Sequence, residues 1–116
     1  MKTDMTVLEF KTFDEIYSWF LDNSKTEKEV YVRVSRQRPE KCVDVLSYYD
    51  AVKAALCFGW IDSTLRNING ALVQRFSPRK KKSNWTHTNI QRCKELDEKG
   101  LMTEEGRKVC PYFSNK

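Results

Sequence analysis

The chain has a single histidine, His87, and four cysteines at positions 42, 57, 93 and 110, with no Cys-x-x-Cys pair among them. Zinc ribbons and fingers draw their ligands in close pairs, so this spacing predicts no metal centre, and no motif calls for another cofactor. Four thiols in a chain of this length are also too sparse for the disulfide framework of a small secreted domain. No stretch approaches the roughly 20 consecutive apolar residues of a membrane span. The amino-terminal MKTDMTVLEF carries an early acid and no long apolar run, unlike a secretory signal. The expectation is a cytoplasmic protein with reduced thiols and no membrane span. Internal repeats and low-complexity segments are missing too, and oligomeric state is not legible.

What is present suits one self-supporting domain. A chain of 116 residues, 40% apolar and 12% aromatic, can bury a core without staples. The net charge of +5 is unevenly placed. Arg75, Arg79, Lys80, Lys81 and Lys82 follow one another with no acid among them, and setting those five aside leaves as many acidic as basic side chains. A field concentrated in this way favours an anionic partner at one place, although a merely solubilising loop has the same composition.

The least polar stretch is LSYYDAVKAALCFGWID, Leu46 to Asp62. Ser47 reads as an N-cap and Asp50 sits near the positive end of the helix dipole. From Ala51 to Phe58 only Lys53 is polar, which predicts a central helix covered on nearly every side and ended by Gly59. Upstream, Met5–Phe10 suggests a first strand. Thr12 to Glu15 forms a capping box for an amphipathic helix over Phe13–Asp22, followed by a polar turn, Asn23 to Thr26. Glu29–Ser35 alternates, with Val30, Val32 and Val34 on one face, as a half-buried strand does. Pro39 excludes a central strand from the polar connection that follows.

Downstream, Trp60–Asn67 and Ala71–Phe76 read as a hairpin about Asn69-Gly70. A two-residue loop would pair Arg66 with Val73 and a longer one Leu65 with Val73. Either register brings Asp62 near Arg75, so a cross-strand ion pair is expected. A helix from about Asn84–Thr88 to Lys99 buries Ile90, Cys93 and Leu96, and a short helix after Thr103 ends before Pro111. The predicted fold class is α+β: a small antiparallel sheet of about four strands, with helices packed mainly on one face.

Three stretches carry a family resemblance: ALCFGWID (Ala55 to Asp62), QRFSPRKKKSNW (Gln74 to Trp85) and KGLMTEEG (Lys99 to Gly106). Together they resemble the bacteriocin-protection family, also called YdeI/OmpD-associated proteins. Ser77 stands where that family usually has threonine and Lys81 where proline is common. The resemblance implies a short form lacking the family's C-terminal extension, and a link to tolerance of bacteriocins or cationic peptides. It brings no established reaction.

Cys57, at the carboxyl end of a helix, lacks the cationic setting that lowers a thiol pKa and reads as core. The candidate ligand-binding set is Trp60, Asp62, Arg75, Arg79, Lys80, Lys81, Ser83 and Trp85, with Phe76 among them. Guanidinium groups suit phosphate or carboxylate oxygens, and tryptophans offer faces for stacking. The same residues admit a structural reading, with Arg75 paired to Asp62 and Trp60 or Trp85 anchoring the loop. Three functions follow: a non-enzymatic domain binding an anionic small molecule or phosphate-bearing ligand; a nucleic-acid-binding module; and, least favoured, an enzyme using Asp62 as acid or base. No catalytic residue is assigned.

Overall fold

The computed structural model describes residues 6–80 and 85–113. In chain order its elements are β1 (Val7–Leu8), α1 (Phe13–Asn23), β2 (Val30–Arg33), a 3-10 turn (Pro39–Lys41), α2 (Tyr48–Cys57), β3 (Trp60–Ile68), β4 (Ala71–Pro78), α3 (His87–Glu98), α4 (Glu104–Val109) and a second 3-10 turn (Pro111–Phe113). The four strands form one sheet in the order β1-β2-β4-β3. The α+β class is therefore observed, with one refinement. The β2–β4 and β3–β4 pairs are antiparallel, but β1 runs parallel to β2. Parallel neighbours need a crossover between them, and α1 is that crossover.

The local signals are built as read. The Glu15 amide donates to Thr12 Oγ1 (3.2 Å), and the Glu15 carboxylate accepts from the amide of Lys11 (2.8 Å). Ile16 and Phe20 form the buried line of α1, and Val30 and Val32 of β2 are buried with Val34 just after it. Asn69 and Gly70 both adopt positive φ (51° and 86°), as a two-residue primed turn requires, so Arg66 pairs with Val73. The Gly100 turn closes α3 with hydrogen bonds from Gly100 N–H to Asp97 O (2.9 Å) and Leu101 N–H to Leu96 O (3.0 Å).

Helix α2 is the centre of the molecule. Ser47 Oγ accepts from the Tyr49 amide at its start, and Ala51, Val52 and every residue from Ala54 to Cys57 are buried. Its carboxyl end is received by α4. The Thr103 hydroxyl donates to Cys57 O (2.6 Å), the Thr103 amide donates to the same oxygen (3.0 Å), and Thr103 Oγ1 accepts from Gly106 N (3.3 Å). The N-cap of one helix thus satisfies a terminal carbonyl of the other, bringing opposite dipole ends together. This contact needs Gly106: a Cβ there would collide with the backbone oxygens of Cys57 and Leu56.

The hairpin holds one irregularity that the sequence pattern does not reveal. Asp62 pairs with Phe76 but Leu65 pairs with Gln74, a bulge in β3. The buried Gln74 side chain supports it by donating to Thr64 O (3.2 Å) and Arg75 O (2.9 Å). Among the described residues no helix is long and apolar enough to cross a membrane.

Candidate functional site

Strand alternation sorts the candidate residues. Asp62 lies opposite Phe76, which faces the helices; Arg75, one residue along, points to the other face of the sheet. The expected Asp62–Arg75 ion pair therefore does not form. Arg75 instead bonds Glu29 Oε1 through Nε (2.8 Å) and Ser63 Oγ through Nη1 (3.0 Å). The Glu29 hydrogen bond raises the Arg75 pKa, with burial opposing it. Asp62 Oδ2 accepts from the Tyr48 hydroxyl (2.8 Å). Burial, then that hydrogen bond, pushes the Tyr48 phenol up to about 12.

Trp60 is a core residue, 2% exposed, set edge-on against Trp19 and Phe20. Such packing withdraws it from any ligand-facing role. Arg79, only 8% exposed, stacks its guanidinium 3.8 Å above the Trp85 ring, and its amide donates to Gly59 O (2.9 Å). Burial lowers its pKa, with the nearby Cys93 thiol, the Asp62 carboxylate and the Cys110 thiol opposing. Arg79 and Trp85 thus serve each other, and Trp85 packs against the core. Lys81 and Ser83 lie outside the described residues. Cys57 is buried, and that burial pushes its thiol up to about 12, the reverse of an activated nucleophile.

Two candidate residues do meet. Arg75 and Lys80 line an open groove of about 590 Å³, together with Ser77 and Pro78 from β4 and Ser24 to Lys28 from the α1–β2 turn. Its cations are Lys25, Lys28, Arg75 and Lys80, against Glu27 as the lining acid. Lys25 also reaches Glu105 at 3.8 Å. The hydroxyls of Ser24 and Ser77 also line it, whereas that of Thr26 donates to Asn23 O (3.3 Å). Lys25 and Lys28 escape a sequence reading because they sit in an ordinary polar turn. Only the antiparallel pairing of Val30 with Phe76 carries that turn to the end of β4. Among the described residues no group of three His, Cys, Asp or Glu side chains could hold a metal ion.

These observations define a small α+β domain with a central buried helix and a cationic groove beside its hairpin. Residues 8–109 match the family described as Domain of unknown function (DUF8412), and the chain belongs to that family. No curated protein and no solved structure matches it.

Proposed function

We propose that this protein is a non-enzymatic binding domain that takes an anionic, phosphate-bearing ligand in the groove of Lys25, Lys28, Arg75 and Lys80. One observation carries the reading: four cations from two separate chain segments converge on one open groove with a single acid in its lining. The Glu29 and Ser63 bonds hold the Arg75 fork in place, which lowers the entropy lost when it meets an oxyanion. Tyr48, Asp62 and the buried thiols lie apart from this groove and supply no acid, base or nucleophile to it. The resemblance in ALCFGWID, QRFSPRKKKSNW and KGLMTEEG supports a setting of bacteriocin or cationic-peptide tolerance.

A thermal-shift screen of nucleotides and phosphosugars, run on wild type and on Lys25→Ser/Lys28→Ser, tests the proposal. Both lysines are exposed, so the variant keeps its fold. Exposed charge contacts of about 0.2–1 kcal/mol each predict a loss of about 2- to 30-fold in affinity. Ligands that stabilise both proteins equally would place the site elsewhere.

A further inference from the structure

The positive charge of this protein is not confined to the segment after β4. Arg33, Arg36, Arg38 and Lys41 fall within nine residues that contain one acid, Glu40, and Glu40 is engaged by Arg38 at 3.9 Å. Arg33, Arg36 and Lys41 line a second open groove, of about 620 Å³, between the loop after β2 and the tip of the β3–β4 hairpin. The two cationic grooves stand at opposite ends of β4. Ala71 lines one and Ser77 the other, six residues and about 20 Å apart along the strand.

The second groove takes Val34 and Leu72 from the helix side and Asp44 as its lining acid; between its Arg33 and the first groove's Arg75 runs the sheet face turned away from Val30, Val32 and Phe76. Tyr31 pairs directly with Arg75 on that face, Arg33 follows two residues on, and Arg66 lies across Val73 from Arg33. The Tyr31 ring is half-exposed, flanked along and across the strands by Arg33 and Arg75. Val43, 81% exposed, stands at the rim of the second groove as an apolar contact. Cations at both ends and an aromatic face between them suit a linear polyanion carrying flat groups. A single phosphate or sugar phosphate cannot span about 20 Å, whereas a nucleic acid strand repeats its phosphates every ~3.4 Å in B-form and further apart when extended.

We propose that this face of the sheet is a binding track for single-stranded nucleic acid, with backbone phosphates held in both grooves and a base stacked on Tyr31. The proposal rests on the anion-binding reading of the Lys25–Lys80 groove and extends it to a second groove and a polymer. Base–aromatic stacking is indifferent to base identity, so binding is sequence-tolerant. Seven cations line the two grooves, and three of them already reach carboxylates: Lys25 to Glu105, Arg33 to Glu9 and Arg75 to Glu29. Between four and seven phosphate contacts give a slope of log affinity on log salt of about −3 to −5 for a single strand.

The test is fluorescence anisotropy with labelled oligothymidylates of about 4 and about 16 nucleotides, lengths bracketing known single-strand sites. Inorganic phosphate binding is measured beside them by NMR. The proteins are wild type, Lys25→Ser/Lys28→Ser, Arg36→Ser/Lys41→Ser and Tyr31→Ala. The longer strand should bind at least tenfold more tightly than the shorter, with the salt slope above. Each double variant should weaken the longer strand by about 2- to 30-fold, and Arg36→Ser/Lys41→Ser should leave phosphate binding at the Lys25 groove intact. Equal affinity for both lengths, or indifference to Arg36→Ser/Lys41→Ser while phosphate still binds, overturns the track and leaves the single-groove reading standing. Loss of phosphate binding at the Lys25 groove in wild type overturns both. Binding to phosphatidylserine vesicles without binding to the longer strand also overturns the track. Tyr31→Ala proteins that keep full affinity refute the stacked base.

Discussion

Replacing Gly106 by alanine should unfold the protein more readily, against the usual sign for such a change. In a solvated helix, glycine to alanine gains about 0.5–1 kcal/mol. Gly106 sits in α4 directly over the carboxyl end of α2, and a Cβ there would lie 2.8 Å from Leu56 O and 2.8 Å from the carbonyl carbon of Cys57. Both obstacles are backbone, so no side-chain rotation relieves them. Overpacking of this kind costs about 1–3 kcal/mol, and lifting α4 away breaks the Thr103 bonds to Cys57 O, worth about 1 kcal/mol. After subtracting the helix-propensity gain, the expected net loss is about 1–3.5 kcal/mol. For a domain of this length that lowers Tm by about 4–14 °C. Thermal and urea melts followed by circular dichroism measure it, with exposed Lys108→Ala as a control that should stay within about 0.5 kcal/mol. A neutral or stabilised Gly106→Ala protein would refute the docking of α4 on α2.

Two further outcomes follow from burial. A thiol reagent should modify Cys42 quickly, because it is the one cysteine that is not buried, and should reach Cys57, Cys93 and Cys110 only at the rate of unfolding; fast labelling that survives in Cys42→Ser would contradict the packing around α2. Tyr48 has its pKa raised from 10.0 to about 12 by burial and the Asp62 bond, so its neutral form stabilises the fold fully below pH 10 and loses that effect as pH rises through 12. Phenolate absorbance should show a late-titrating tyrosine that vanishes in Tyr48→Phe, with stability falling less steeply between pH 10 and 12. A single transition near 10 in wild type would remove the Tyr48–Asp62 link.

The elements that carry their own punctuation were legible in the sequence. Thr12 and Glu15, Ser47, the alternating valines of β2 and the Asn69-Gly70 turn each act within a few residues, and each is built as its chemistry dictates. What escaped depends on contacts between distant segments. The β3 bulge depends on Gln74 filling a gap across the hairpin, and it shifts no single residue out of pattern. The parallel β1–β2 pair depends on the path of α1, which a strand of two half-buried residues cannot announce. Of the candidate site, Arg75 and Lys80 do share a groove, whereas Trp60 was drawn into the core by Trp19 and Phe20. Arg79 and Trp85 were near each other in sequence, but only the fold shows that they stack on one another. Lys25 and Lys28 became part of the groove through strand pairing, some fifty residues from the cations they join.

The groove itself is tested most directly by an NMR titration of the protein with inorganic pyrophosphate, recording backbone amides. Saturable shifts confined to residues 24–28 and 75–80, weakened in Lys25→Ser/Lys28→Ser, are the predicted result. Absent shifts, or shifts that the double variant leaves unchanged, would contradict an anion site between the α1–β2 turn and the end of β4.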